Sequence, residues 1–312
     1  MGLTARLPHH LQARLERGLQ LRQRGYRGRF APSPTGPLHR GNLRTALLGW
    51  LEARRYRGVW LLRIDDLDTP RNRVGAVASI LDDLDWLGLH WDGEPIVQSS
   101  RRGLYATVLS SLRQAGLLYP CRCSRRMLAD VSAPHGAQGV YPGTCRLRQP
   151  NWGHQQGRLP SWRLRLEPGP LSWPEHSDLP ACLDSASQVG DVVLRRADGL
   201  MAYHLATAVD EIDLGISHVL RGDDLQVSTG AQVAVMAALG APPPCYRHLP
   251  VWRDQSGRRL SKRDAAEGLA AWRQRGAGPC EVIGALAASA GLVAKGTRIT
   301  AADLLERLGP QA

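Results

Sequence analysis

Lysine is almost missing from this chain. Of its 40 basic side chains only two are lysines, Lys262 and Lys295, and all the others are arginines. A genomic preference for arginine would explain that ratio. It would not explain 40 basic residues against 28 acidic ones, which leave a net charge of +12. That excess favours a polyanionic partner, nucleic acid before an anionic membrane. Also missing is any apolar run long enough to span a bilayer, and the N-terminus has no apolar core of the secretory kind. A cytoplasmic setting without a membrane partner is therefore expected. There thiols stay reduced, so the six cysteines do not form a disulfide framework, and a cluster of them reads as metal-binding. Neither G-x-x-x-x-G-K-[ST] nor a strand-linked G-x-G-x-x-G occurs, so a bound nucleotide would be held without either phosphate loop. No internal repeat is present. What remains is a chain of 312 residues, 43% hydrophobic, long enough for one large or two modest domains with a core of their own.

Along the chain, residues 1–25 form a basic N-terminal extension in which Glu16 is the only acid. Leu11, Leu15 and Leu19 are at helical spacing there. The stretch is expected to be a variable extension, although an arginine-rich, acid-poor start also suits a transit peptide. From Tyr26 the pattern tightens. "YRGRFAP" predicts a short strand and "PSPTGPLHRG" a loop. "NLRTALLGWLEARRY" predicts a helix with Leu43, Ala46, Leu47, Trp50 and Leu51 on one face and Asn42 as its N-cap. "GVWLLRIDDLD" predicts a buried strand entering an acidic loop, completing a βαβ unit. Helices are expected at about 73–88 and 99–116, the second closed by Gly116. Residues 26–116 thus make the first half of an α/β domain. Residues 117–190, broken by Pro, Gly, Cys and Trp, look like an inserted subdomain. Residues 191–250 return to strand and helix patterning, with a small-residue helix over 228–240. Residues 251–312 hold a basic loop and a helical segment, with helices around 281–291 and 301–308.

Three stretches carry chemistry. In "RFAPSPTGPLHRGN", residues 29–42, a strand feeds a Pro/Gly loop that opens a helix. Free N–H groups and a partial positive charge at a helix N-terminus form a phosphate site. His39 stands just before that helix, placed to donate to a phosphoryl oxygen, and Gly36 and Gly41 allow close backbone approach. An ordinary strand–helix connection is the plainer alternative. The second stretch, "RRLSKRD" at residues 258–264, would pass for basic surface were it not for Lys262. Arginine is a wide planar fork; lysine is a compact charge on a thin stem that can follow a transferring phosphate. In the third, Cys121-x-Cys123 is followed by "VYPGTCR" with Cys145. Three thiols fall one short of a closed tetrahedral site, and incidental thiols are an equal alternative on spacing alone.

Taken together, His39-Arg40-Gly41-Asn42 and Arg259-Leu260-Ser261-Lys262-Arg263 resemble the HIGH and KMSKS signatures of class I aminoacyl-tRNA synthetases. "RFAPSPTG", Arg63–Asp68, "MAYHLATAVDE" and "HVLRGDDL" resemble the glutamyl-tRNA synthetase subgroup, over roughly residues 27–265. The resemblance implies an α/β fold: a Rossmann-like catalytic domain with a parallel sheet, an inserted zinc-binding acceptor-type subdomain and a short helical C-terminal part. It also implies the reaction, in which glutamate attacks the α-phosphate of ATP and the glutamyl group then passes to an RNA hydroxyl. Catalytic roles are implied for His39 and Lys262, and ATP binding for His39, Gly41, Asn42, Ser261 and Lys262, with magnesium accompanying the nucleotide. Glutamate binding is implied for Arg29, Phe30, Ala31, Pro32, Ser33, Asp65, Tyr203 and Arg221. Taken singly, Tyr203 could be a core tyrosine and Arg221 a partner of Asp223 or Asp224.

Two departures stand out. Asp65 replaces the family's glutamate, expected to hold the substrate's α-amino group, and is one methylene shorter. Arg40 and Asn42 replace an apolar residue and a histidine in the HIGH box. For the cysteines the resemblance supplies a C-x-C…Y-x-x-x-C zinc knuckle: one structural zinc on Cys121, Cys123, Tyr141 and Cys145, with His135 the second choice for the fourth ligand.

About fifty residues follow Lys262, too few for the helical anticodon-binding part of a full glutamyl-tRNA synthetase. In this the chain resembles the short glutamyl-queuosine tRNA(Asp) synthetases, which attach glutamate to the queuosine base at the wobble position of tRNA(Asp). Glutamate, ATP and queuosine-containing tRNA(Asp) are the partners so implied, with no protein partner. The alternatives are a truncated glutamyl-tRNA synthetase charging a 3′ end and a non-catalytic RNA-binding paralogue. The amino-acid pocket residues argue against the paralogue.

Overall fold

The structure, a computed structural model, describes residues 6–124, 127–128, 140–155, 157–176, 179–250 and 268–311. The helices are α1 (His9–Arg22), α2 (Arg40–Arg55), α3 (Ala76–Trp86), α4 (Arg102–Gln114), α5 (Tyr203–Asp213), α6 (Gln226–Ala238), α7 (Leu269–Gln274), α8 (Pro279–Ser289) and α9 (Ala301–Leu308). The strands are β1 (Arg27–Phe30), β2 (Val59–Ile64), β3 (Ile96–Val97), β4 (Leu118–Cys121), β5 (Ser161–Leu164), β6 (Pro170–Trp173), β7 (Ala181–Asp184), β8 (Val192–Arg195), β9 (His218–Gly222) and β10 (Cys245–Leu249). The chain folds as two units, each assembled from separated segments.

The first unit comprises Arg24–Ser99, Ile216–Asp224 and Arg247–Ala312. Its sheet is parallel, in the order β1-β2-β3. The "VWLLRI" run of β2 is apolar almost throughout because a parallel strand is covered on both faces. Helix α2 makes the crossover from β1 to β2, so the βαβ unit expected from residues 26–68 is present. Leu43, Ala46, Leu47, Trp50 and Leu51 are all buried in one cluster with Phe30, Leu62 and Ile64. Val282, Ile283 and Leu286 of α8 and Leu304 of α9 close the same cluster. β9 runs beside β1, where Ser217 N–H donates to Arg27 O at 2.9 Å and Arg27 N–H to Ser217 Oγ at 2.7 Å.

The second unit comprises Met1–Gln23, Ser100–Gly215 and Leu225–Tyr246. Its strands are antiparallel, β4-β5-β8 in one sheet and β6-β7 in another. Helix α1 is an integral part of this unit and not a loose extension. Leu11 and Leu15 are buried, and Arg14 donates to both oxygens of Asp213 at 2.5 and 2.9 Å. Gly18 has no room for a side chain, since a Cβ there would lie 2.0 Å from Ile212 O of α5. The leucine spacing announced the helix; the glycine that brings its backbone against α5 was the sign of a partner. On α5, fully buried Asp210 accepts from Arg101 Nε at 2.8 Å and from Tyr105 Oη at 2.9 Å. Asp210 and Asp213 outweigh the burial of Arg101 and keep its guanidinium firmly charged. Among the described residues no helix is long and apolar enough to cross a membrane.

Candidate active site

Helix α2 begins two residues earlier than the sequence pattern suggested, and its N-cap is His39, not Asn42. His39 Nδ1 accepts from the N–H groups of Gly41 and Asn42 at 3.1 and 3.3 Å, and Asn42 Oδ1 accepts from His39 N–H at 3.4 Å. An imidazole nitrogen does here what a serine or aspartate oxygen usually does, in a reciprocal capping box. This has a chemical consequence. A nitrogen that accepts carries no proton, so the neutral ring bears its proton on Nε2. The cap therefore fixes the tautomer in which the other edge of the ring donates. That edge stands at the positive end of a 16-residue helix.

The chain that leads into this helix is pinned to the neighbouring strand. Pro32 O accepts from Asp65 N–H at 3.0 Å and Pro34 O from Arg73 N–H at 2.9 Å. Arg29, at 7% exposure, and Arg221, at 4%, are buried cations on adjoining strands, and Arg29 Nη1 donates to Leu220 O at 3.4 Å. Phe30 is packed in the apolar cluster, which leaves its main chain for any ligand. Pro32 is buried, Ala31 half-buried and Ser33 exposed. Asp65 is held by a residue that the sequence pattern gave no role: Arg63, fully buried, donates to its two oxygens at 2.6 and 3.0 Å. The available signal was an arginine inside the apolar run "VWLLRI". A substrate ammonium at Asp65 would share the carboxylate with Arg63. The structure thus brings Arg29 to Ser33, His39, Gly41, Asn42, Asp65 and Arg221 into one unit. Tyr203 is the first residue of α5 in the other unit and is 37% exposed.

Ser261, Lys262 and the rest of "RRLSKRD" lie outside the described residues, as does His135. The residues flanking the Lys262 segment are described, and both meet the start of α2. Arg44 Nη1 donates to Pro250 O at 3.2 Å. On the other side, a Cβ on Gly268 would lie 3.1 Å from Leu38 O. Helix α7 follows at once, and the Arg40 guanidinium stands 5.0 Å from the ring centre of buried Trp272. Arg40, the departure in the HIGH-like box, therefore ties that box to α7 through a cation–π contact.

The three cysteines expected to cluster do so. Cys121, Cys123 and Cys145 bring their sulfurs within 4.8 Å of one another. Tyr141 Oη lies among them, 3.4 Å from Cys121 Sγ and 3.8 Å from Cys123 Sγ, while Cys123 and Cys145 Sγ are 3.7 Å apart. A tetrahedral zinc with bonds of about 2.3 Å to sulfur and 2.0–2.2 Å to oxygen needs S···S edges of roughly 3.8 Å and S···O edges of roughly 3.5 Å. The donor set is compatible with zinc in type, and the Cys123–Cys145 and Tyr141 separations fall near these edges. Without a metal, burial pushes the Cys123 thiol up to about 11 and raises the Tyr141 phenol as well. Burial also acts on Cys145, but hydrogen bonds led by the Arg122 N–H outweigh it and draw that thiol down. A second layer supports the set: the Arg163 guanidinium is 3.7 Å from the Tyr141 ring centre and donates to Asp191 O at 2.6 Å. Asp191 in turn accepts from Tyr119 and Arg146. These partners come from β4, β5 and the turn before β8, so no local spacing announces them.

Comparison with known proteins follows the same lines. Residues 26–289 match the family of class I tRNA synthetases for E and Q, in its catalytic domain. A glutamyl-Q tRNA(Asp) synthetase of Prochlorococcus marinus (strain MIT 9303) is 55% identical over 99% of this chain and 96% of its own length. One of Synechococcus sp. (strain CC9605) is 53% identical over 98% of this chain and 97% of its own length. Among solved structures, a glutamate tRNA ligase of Elizabethkingia meningosepticum in complex with its amino acid is similar, at 26% identity and a TM-score of 0.73. The match covers 90% of this chain and 64% of that one, so the chain spans a little under two thirds of the solved relative. The chain belongs to the class I synthetase family and, within it, to the glutamyl-Q tRNA(Asp) synthetases.

Proposed function

We propose that the protein activates glutamate with ATP and transfers it to the queuosine base at the wobble position of tRNA(Asp). The observation that carries this is the kinship with glutamyl-Q tRNA(Asp) synthetases over nearly the whole of both chains. In the first step a carboxylate oxygen of glutamate attacks the α-phosphorus of ATP. The bond to the bridging oxygen breaks, and pyrophosphate leaves with its electron pair. In the second step a hydroxyl of the modified base attacks the acyl carbon of glutamyl-adenylate, forming an ester and releasing AMP.

His39 Nε2 and the positive end of α2 hold the ATP phosphates, which arrive as a magnesium complex; Gly41 and Asn42, whose N–H groups are taken by His39 Nδ1, shape that entrance. Lys262, with Ser261, supplies the compact charge that meets the departing pyrophosphate. The anchoring of Pro250 and Gly268 at the start of α2 supports this assignment. Arg29 and Arg221 give the glutamate side chain a buried cationic seat, where a guanidinium can take a carboxylate on both oxygens. The main chain of Phe30 to Pro32, with Ser33, lines it, and Asp65 takes the α-amino group beside Arg63. Zinc on Cys121, Cys123, Tyr141 and Cys145 is structural: when bound it turns three buried donors and half-buried Cys123 into one rigid cross-link. A cytoplasmic location suits both the tRNA partner and three clustered thiols.

The test uses ATP, labelled glutamate and queuosine-containing tRNA(Asp). Label on the anticodon base is expected. Label only on the 3′ ribose would replace the proposal with a truncated glutamyl-tRNA synthetase.

A further inference from the structure

The strand-built part of the second unit carries a stack of cations and indoles that the chemistry above does not use. Arg113, in the last turn of α4, has its guanidinium carbon 4.2 Å from the ring centre of Trp152 and 5.0 Å from that of Trp162. Arg195 of β8 lies 5.3 Å from the same Trp162 ring, and the two indoles meet edge to face at 4.9 Å. Below them Arg122 donates to three carbonyls, those of Asn151, Gly153 and Arg158, and so props the loop that bears Trp152.

Among the described residues the charge of this patch faces no carboxylate. Arg14, Arg54, Arg63, Arg101, Arg146 and Arg247 each face a carboxylate. Arg113, Arg122 and Arg195 have none among the described residues. The surrounding sequence adds none either: from Val131 to Leu166 there is not one Asp or Glu, against five arginines. An arginine stacked on an indole loses little further freedom on binding and keeps its N–H donors around its edge. With guanidinium groups already over the tryptophan rings, the stack is suited to phosphates and not to intercalated bases.

We infer that Arg113 and Arg195, arranged by Trp162 and by Trp152 on the loop that Arg122 props, form a docking surface for the phosphate backbone of RNA. This rests on the RNA partner of the proposed function. It adds where that RNA is gripped, and that the grip is blind to sequence.

The experiment uses the full chain with its metal, and two probes: queuosine-containing tRNA(Asp) and an unrelated tRNA. Dissociation constants are measured from 50 to 200 mM salt. In the variant Arg113→Gln/Arg195→Gln, binding of both RNAs is expected to weaken. The slope of log K against log salt should fall by about 1.4–1.8, the loss of two phosphate contacts. Glutamate-dependent pyrophosphate exchange without RNA should be unchanged. Arg113→Lys/Arg195→Lys, which keeps the charge, should retain most of the slope. An unchanged slope in the glutamine variant overturns the surface, as does an equal loss in the lysine variant, which would mean disturbed packing. A wild-type chain that binds tRNA with the steep slope but leaves queuosine unglutamylated would sink the proposed function and leave the surface standing.

Discussion

At the scale of single residues, His39 holds two jobs on one ring. Nδ1 caps α2, and that contact leaves the proton on Nε2. The two jobs can be separated. Asparagine is among the best N-caps, so His39→Asn should keep the helix and the melting temperature. It cannot present a donor at the Nε2 position, so glutamate-dependent pyrophosphate exchange should fall by about 10²-fold, the usual loss of one preorganised donor. Lys262→Arg should reduce exchange comparably with the fold intact. A variant with normal exchange would remove that residue from the phosphate site. His39 was legible as the residue before a helix that a Pro/Gly loop opens; Lys262 stood out through the pairing of its basic loop with that one, and lies outside the described residues. The tautomer was not, since it depends on a ring turning back onto its own helix. Asp65 was legible as a position, whereas its buried pairing with Arg63 required knowing that β2 is covered on both faces.

At the scale of elements, the knuckle joins the end of β4 to the turn at Tyr141–Cys145, across residues far apart in the chain. Burial raises Cys123 and Tyr141, so in the absence of metal these two donors stay protonated and hydrogen bonds centred on Tyr141 link the two segments. Zinc reverses this by taking them as anions. One zinc per chain is expected by elemental analysis, and chelation should lower the melting temperature. Tyr141→Phe should weaken zinc at least about tenfold in competition with a chromophoric chelator, because the fourth donor is lost while the ring stays under Arg163. Equal affinity in that variant would take Tyr141 out of the ligand set. The elements themselves follow period and punctuation closely: β1, α2, β2, α8 and α9 fall where apolar spacing puts them. The role of α1 did not follow, because helical leucine spacing says that a face is buried but not against what. Gly18 against Ile212 O answers that only in three dimensions.

At the scale of the whole molecule, a chain of net charge +12 is expected to lose stability in acid as its carboxylates are protonated and its cations repel. One buried acid works in the opposite sense. Asp83 of α3 is 6% exposed. Burial, opposed by Arg273 and reinforced by Asp82, pushes its carboxyl up to about 6 from an ordinary value of 3.8. Arg273, on α7, also reaches Asp82 and covers the Trp86 ring, so the counter-ion that the carboxylate has among the described residues is a shared one. The folded chain therefore keeps this proton over a range in which the unfolded chain releases it. Its contribution to stability is fully present below the unfolded pKa and is lost as pH rises from about 4 through 6. Asp83→Asn removes the ionisation and leaves Arg273 with Asp82. Thermal unfolding should then show a melting temperature a few degrees above wild type at pH 7.5 and nearly equal to it at pH 4, with the curves separating between those limits. The α3–α7 contact adjoins the helix that follows the Lys262 segment, so glutamate-dependent exchange of the variant should lose any pH dependence that enters through this packing. A melting temperature raised equally at both pH values would mean that the gain comes from packing and that folding does not displace the Asp83 carboxyl from its value in the unfolded chain.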